Sequence, residues 1–329
     1  MMELMMDDSM LVLDQFLPGA GWVQIILLAI YGAFLVNKMQ DASESAIWRK
    51  RSWLLFSIVF FSQFALGILA DDRFMMTGKL HLPVPFMILS GPVFRMQLTI
   101  MPILLFSSIL LSGPAWCSHY CYFGAWDGVA ATPRLKAFGL WRKDKSKGKV
   151  IGDKGVLSVK EMRKPIRNKW VWKWSFLVLV ILAAWLFRML NFSKLEALIP
   201  ALALAGIGIG IMVFISRKRN KMVHCTTFCP VGTLVNFGKF ISPFRMKIAS
   251  NCTNCMLCIP SCPYDALNVE DIKAGKPGLT CTLCGDCVTS CEVGAIQYRF
   301  FKLSPTAARN LYLFITISLH VLCMGLARI

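Results

Sequence analysis

Eight of the thirteen cysteines fall into two runs that share one spacing. The runs contain Cys252, Cys255, Cys258 and Cys262, followed by Pro263, and then Cys281, Cys284, Cys287 and Cys291. Both read C-x2-C-x2-C-x3-C, the ligand spacing of bacterial proteins that bind two 4Fe–4S clusters. Three closely spaced thiolates on one loop can bind three irons of a cubane, so the fourth iron needs a ligand from elsewhere.

The fourth cysteine of each run is therefore expected to cross to the other cluster. Cluster one is assigned Cys252, Cys255, Cys258 and Cys291, and cluster two is assigned Cys281, Cys284, Cys287 and Cys262. The two halves also match beyond cysteine, because Cys262-Pro-Tyr-Asp-Ala-Leu parallels Cys291-Glu-Val-Gly-Ala-Ile. Structural zinc also uses C-x2-C pairs, but the doubled spacing favours iron–sulfur clusters. Asp265 and Asp286 are expected to be solvated loop residues.

Two further cysteine pairs share the pattern C-x3-C-x-x-G. They are Cys117 and Cys121 with Gly124, and Cys225 and Cys229 with Gly232. Thiolate groups select soft metals and iron–sulfur centres, so a third 4Fe–4S cluster on these four cysteines is the favoured interpretation. A redox-active disulfide, a thiol pair that relays metal and four buried structural thiols are the alternatives. Cys323 stands alone and is expected to pack as an apolar residue.

The elements that must position these cysteines are apolar. The chain has 329 residues, of which 56% are hydrophobic, yet its formal net charge is +18. This combination is typical of a multi-pass membrane protein and argues against a nucleic-acid partner. Six stretches approach the length of about 20 residues that crosses a bilayer. They are predicted at Gly21–Met39, Trp53–Ala70, Leu98–Gly113, Trp170–Phe187, Leu198–Ser216 and Leu311–Ala327.

The distribution of lysine and arginine predicts the orientation of these spans. Of the 36 basic residues, all but six fall between spans one and two, three and four, and five and six. The six others are Arg73, Lys79, Arg95, Arg188, Lys194 and Arg328. Because basic loops stay in the cytoplasm, both termini are expected outside the inner membrane and the Cys252–Cys291 region inside.

The fold class expected is an α-helical integral membrane protein with about six transmembrane helices. A small α+β domain of the bacterial ferredoxin type, with two 4Fe–4S clusters, is inserted before the last helix. The predicted boundaries are 1–133 for the first half of the membrane domain, 134–169 for a basic cytoplasmic loop and 170–245 for the second half. Residues 246–303 form the ferredoxin-like domain, and 304–329 form the last helix.

The chain resembles the NapH/NosR/MauN-type membrane iron–sulfur proteins. The resemblance rests on the double cysteine run together with the post-span motifs at Cys117 and Cys225, of which the second continues as C-x3-C-P-x-G. In the first motif Tyr122 replaces the proline. This resemblance implies quinol oxidation and electron delivery to a partner redox protein or multi-subunit complex. The predicted function is thus a membrane-bound electron-transfer subunit of the quinol dehydrogenase type. The alternative is an accessory protein that reduces or assembles a metal centre of another respiratory enzyme.

The apolar, proline-containing stretch Leu82–Met96 before span three is expected to contribute a half-helix or re-entrant segment on the outer side. A quinone site has no sequence motif, but hydrogen-bonding residues near this segment are candidates. His81, Arg95 and Gln97 flank that segment and could bind a quinone headgroup, although an ordinary interfacial loop is the simpler interpretation. A haem between two histidines is not expected, because no two of the four histidines are predicted at matching depth inside two spans. His119 and His224 are expected to hydrogen-bond near the cysteine pairs or to cap helix ends.

Overall fold

A computed structural model describes residues 11–74, 84–97, 100–132, 150–152, 155–157, 165–166 and 168–325. Five helices in these ranges are long and apolar enough to cross a membrane. They are α2 (Gly21–Gln40), α3 (Ala42–Leu69), α7 (Lys169–Met189), α8 (Lys194–Gly210), which continues to Arg219, and α13 (Pro305–Gly325). Only 17% to 39% of the apolar stretch of each of these helices is buried inside the protein. The outward apolar surface needs an apolar surrounding, which indicates a multi-pass membrane protein.

The third predicted span is shorter than the other five. Helix α5 (Ile100–Ser112) has 13 residues and is therefore about 20 Å long, less than the hydrocarbon thickness of about 30 Å. A separate helix, α4 (Met87–Arg95), lies before it in the chain and packs against α7. The sequence prediction of a helical piece in this proline-containing stretch agrees with α4.

The remaining helices and strands are short. They are α1 (Val12–Phe16), α6 (Tyr122–Ala131), β1 (Val150–Gly152), β2 (Gly155–Leu157), α9 (Arg217–Arg219), α10 (Pro230–Ile241), β3 (Phe244–Ile248), α11 (Val269–Lys273), α12 (Asp286–Thr289) and β4 (Ile296–Phe300). Strands β3 and β4 pair antiparallel, with Met246 opposite Tyr298. In the sequence, β3 precedes both cysteine runs and β4 follows them. Strands β1 and β2 form a separate antiparallel pair.

Several of the apolar helices present one end to the cysteine-rich domain. We call this the proximal end of the bundle. Thr289 donates to the carbonyl of Ala42 at the start of α3, at 2.8 Å. Lys169 at the start of α7 donates to the carbonyl of Asp265, at 2.7 Å. Helix α13 begins five residues after β4 ends at Phe300. The domain is therefore seated on the bundle by contacts from different helices.

Candidate iron–sulfur and four-cysteine sites

The cysteines assigned to cluster one lie together at the outer part of the domain. Burial, together with the neighbouring thiols of Cys255, Cys291 and Cys252, raises the pKa of Cys258 to about 11. Cys255 is exposed, and the other three are partly exposed. The structure thus groups three cysteines of the first run with the last cysteine of the second run.

The cysteines assigned to cluster two line one small cavity. Its lining includes Cys262, Cys281, Cys284 and Cys287, together with Met246 and Tyr264. Burial raises the pKa of Cys287 well above its ordinary value, and the thiols of Cys284, Cys262 and Cys281 raise it further. This group is deeper than the first, since Cys262, Cys281 and Cys287 are all buried. A cavity lined by four thiols suits a bulky soft-metal centre.

The two runs also have the same backbone conformation. The second cysteine of each run is flanked by left-handed residues: φ is 53° at Asn254 and 61° at Met256, and 57° at Leu283 and 81° at Gly285. Leucine and methionine adopt this conformation only when the surroundings require it. In both runs the loop is therefore forced to curl around its cysteines.

Backbone amides donate to the fourth cysteine of each run. The N–H of Ala266 donates to Cys262 Sγ, and the N–H of Ala295 donates to Cys291 Sγ, both at 3.3 Å. Each alanine follows its cysteine by four positions, so the sequence repeat corresponds to a structural repeat. Hydrogen bonds of this kind stabilise negative charge on sulfur and influence cluster potentials.

Four of the five remaining cysteines lie in, or directly after, two π-helical turns of the same design. The turns Trp116–Tyr120 and His224–Phe228 each contain the first cysteine of a pair, and the second cysteine caps the helix that follows. The N–H of Gly124 donates to Cys121 Sγ at 3.3 Å, and the N–H of Gly232 donates to Cys229 Sγ at 3.4 Å. The glycine in C-x3-C-x-x-G thus donates to the cysteine three residues before it.

The two turns converge, and all four of their thiols are buried. A Cβ placed on Gly232 would lie 3.9 Å from Cys117 Sγ, across the gap between the turns. Burial raises the pKa of Cys117, and the thiols of Cys229 and Cys121 raise it further. Burial, Asp127 and the three other thiols raise the pKa of Cys225 in the same way. The structure therefore brings Cys117, Cys121, Cys225 and Cys229 into one group, which we call the four-cysteine site.

Two charged residues that no sequence motif indicates lie at the four-cysteine site. Asp127 on α6 accepts from the N–H of Cys225 through Oδ2, at 3.0 Å, and is fully buried. Lys173 on α7 is 1% exposed and lies 3.5 Å from the carbonyl of Gly232. Neither residue belongs to a recognised cysteine motif. Asp127 is far in sequence from Cys225, and Lys173 is far in sequence from Gly232.

Tyr264 joins the cluster-two cavity to the four-cysteine site. Its ring lines the cavity, and its hydroxyl donates to the carbonyl of Cys117 at 2.8 Å. Beside it, the N–H of Met222 donates to the carbonyl of Pro263 at 2.9 Å. The segment that contributes Cys262 is therefore in direct contact with the first π-helical turn and with the residue two positions before the second.

Asp265 and Asp286 are buried in ion pairs, so the expectation that they are solvated was wrong. Asp265 is 1% exposed and pairs with Lys221 and Lys169. Asp286 is 5% exposed and pairs with Arg49 and Lys50. Both carboxylates point at the proximal end of the bundle, which carries the cations. A loop sequence alone does not reveal this, since the partners are distant in the chain.

Other sequence candidates lie apart from the cysteines or have different neighbours from those expected. Nδ1 of His320 on α13 donates to the carbonyl of His119 in the first π-helical turn, at 3.0 Å. His224 packs against Gly208, where a Cβ would lie 2.9 Å from its ring. Arg95 and Gln97 are exposed and precede the first residue of α5, and His81 is outside the described residues. Cys323 packs beside Phe56 and Phe60.

In the described ranges, no three His, Cys, Asp or Glu side chains converge closely enough to hold a single metal ion. This holds for the two ferredoxin-type groups and for the four-cysteine site alike. In a cubane each thiolate binds a different iron, so its ligands lie farther apart than those of one ion.

Comparison with known proteins supports iron–sulfur binding by the first cysteine run. Residues 246–268 match the model of the 4Fe–4S binding domain family. An uncharacterized protein of Methanocaldococcus jannaschii is 28% identical over 193 residues, which cover 58% of this chain and 66% of that protein. The chain thus spans just under two thirds of this relative. No solved structure matches. The chain therefore contains a 4Fe–4S ferredoxin domain, which indicates a role in iron–sulfur electron transfer.

Proposed function

We propose that the protein is a membrane-bound electron-transfer subunit that couples the quinone pool to a partner redox enzyme or carrier through two 4Fe–4S clusters. Cys252, Cys255, Cys258 and Cys291 would hold one cluster, and Cys281, Cys284, Cys287 and Cys262 the other. Each cluster would supply one-electron transfer. The observation that carries the proposal is the pairing of an exposed cysteine group with a buried one that touches the bundle.

The protein would perform three tasks around these centres. Exposed Cys255 gives a soluble partner access to the outer group. The amides of Ala266 and Ala295 stabilise negative charge on their cysteine ligands. Tyr264 and Pro263 fix the inner group against the turns of the bundle, so that the distance for electron transfer stays constant.

The orientation proposed for the chain places the ferredoxin domain on the cytoplasmic side of the inner membrane, with both termini outside. Supporting this, the proximal end carries many cations, among them Arg49, Lys50, Lys169, Lys221 and Arg309. Positive charge at helix ends is typical of the cytoplasmic side. The variant Lys302→Cys would test this orientation. Its new thiol should react with a membrane-impermeant reagent only after the cells are lysed.

Redox titration of the purified protein followed by EPR tests the function. We expect two or more clusters that dithionite reduces and that a quinol analogue also reduces. Clusters that dithionite reduces but every quinol leaves oxidised would contradict coupling to quinol. In that case the accessory role gains support if deletion of the gene removes metal from a partner enzyme. Protein without any reducible cluster would contradict electron transfer altogether.

A further inference from the structure

The four-cysteine site is built from two copies of one motif on different parts of the chain. Each copy contributes a thiol inside a π-helical turn and a thiol that accepts a glycine N–H. Simple packing of buried thiols needs neither the shared turn nor the amide donors, because a thiol is a small apolar group. Amide donors directed at sulfur instead favour a negatively charged sulfur.

Lys173 provides an independent reason to expect negative charge at this site. Its side chain is almost fully buried, and none of the ion pairs found among the described residues includes it. The groups around it are the thiols of Cys117, Cys229 and Cys225, the Lys169 ammonium, the Trp170 ring at 5.7 Å and the carbonyl of Gly232 at 3.5 Å. A buried ammonium beside neutral thiols or a disulfide would lack a counter-charge, which is strongly unfavourable.

Charge balance around the site distinguishes the chemical alternatives. A disulfide and four protonated thiols are both neutral, whereas metal-bound cysteines are deprotonated and anionic. Asp127 also lies at the site, where its Oδ2 accepts from the N–H of Cys225, but none of the ion pairs among the described residues joins it to Lys173. Four thiolates around a metal centre would give Lys173 the negative partner that the surrounding protein does not provide.

We propose that Cys117, Cys121, Cys225 and Cys229 bind a third 4Fe–4S cluster and that Lys173 is its buried counter-charge. This inference rests on the proposed electron-transfer function and extends it. The site would lie on the bundle side of Tyr264, opposite the cluster-two cavity. The three centres would then be ordered from the exposed cysteine group, through the buried group, to the bundle.

Iron and acid-labile sulfide counts, combined with EPR of the reduced protein, test the inference. The wild type should hold about twelve irons per chain, four for each cubane. The double variant Cys117→Ser/Cys225→Ser should hold about eight and keep both ferredoxin-type signals. Cys323→Ser is the control, since Cys323 is a partly buried thiol outside the site, and it should hold about twelve. About eight irons in the wild type, or unchanged iron in the double variant, would overturn the third cluster.

Lys173 has its own test, which a loss of folding in the cysteine variant does not affect. Lys173→Met should lower the midpoint potential of the third signal and leave the two ferredoxin-type signals in place. Lys173→Arg, which keeps the positive charge, should retain the wild-type potential. An unchanged third signal in Lys173→Met would overturn the counter-charge role. Absence of any reducible cluster in the wild type would instead contradict the proposed function.

Discussion

Arg49 and Asp286 form a buried, multiply bonded ion pair across the boundary between α3 and the ferredoxin domain. Nε and Nη2 of Arg49 donate to Asp286, at distances between 2.9 and 3.2 Å. Nη1 of the same guanidinium donates to the carbonyl of Ser118, between Cys117 and Cys121, at 2.9 Å. One side chain therefore holds the cluster-two loop and the first π-helical turn together.

Replacing Arg49 by Gln should destabilise the protein by about 3–5 kcal/mol, because it leaves the Asp286 carboxylate buried without its main partner. Denaturant unfolding of the detergent-solubilised protein would measure the change. Lys50→Gln is the control, since Lys50 also pairs with Asp286 but its side chain is 44% exposed. It should cost no more than about 1 kcal/mol. Equal losses in both variants would contradict the central role of Arg49.

Asp265 should make stability depend on pH in the acid range. Burial of its carboxyl opposes ionisation, but Lys169 and Lys221 outweigh it and lower the pKa below the ordinary value. A pKa lowered in the folded state adds stability above the unfolded value of about 3.9, and this is lost as pH falls below it. Melting temperatures between about pH 5 and pH 3 should therefore fall more steeply in wild type than in Asp265→Asn. Glu44→Gln, at an exposed ion pair, should keep the wild-type slope.

Removing the Tyr264 hydroxyl should slow electron transfer between the bundle and the ferredoxin domain. Tyr264→Phe leaves the carbonyl of Cys117 without its donor and loosens the contact, at a stability cost of about 1 kcal/mol. Tyr298→Phe is a matched control, because its hydroxyl donates to the carbonyl of Leu283 inside the domain, also at 2.8 Å. Stopped-flow reduction should be several-fold slower in the first variant alone, with iron content unchanged in both. Equal rates would contradict a role for Tyr264 in positioning.

Gly232→Ala should disrupt the second π-helical turn. The added Cβ would lie 2.9 Å from the backbone carbonyl of Cys225, which cannot move without displacing the thiol. We expect a loss of about 1–3 kcal/mol in stability, as for other overpacked sites, and lower iron content. Gly206→Ala on α8 has no atom within 4 Å of the new Cβ, so its stability and iron content should match the wild type. Full iron in Gly232→Ala would contradict the close fit.

The sequence predicted the apolar helices well because a bilayer imposes a length and a composition that can be counted. Five of the six predicted spans correspond to helices of sufficient length. The exception is the third span, α5, which is short and follows a stretch that contains Pro92. The spacing of the cysteine runs was also informative, because consecutive ligands on one loop are close in sequence. The binding of clusters by these cysteines stays a prediction.

Contacts between distant segments could not be predicted in the same way. Nothing local marks Arg49, Lys173 or Tyr264 as neighbours of cysteines, since each approaches from a separate helix or loop. Asp265 and Asp286 looked like ordinary loop carboxylates until their partners, more than 40 residues away, were brought beside them. Only the packing of the bundle against the domain determines these pairs.

The short segment from Cys262 to Asp265 has a mechanical consequence. Its backbone and side chains are attached to Met222, Cys117, Lys221 and Lys169, on different parts of the bundle. A domain fastened in this way cannot swing on a tether between donor and acceptor, as a hinged shuttle does. Any diffusional step must therefore belong to the partner. Solvent viscosity should slow the encounter with that partner but leave the internal transfer rate unaffected.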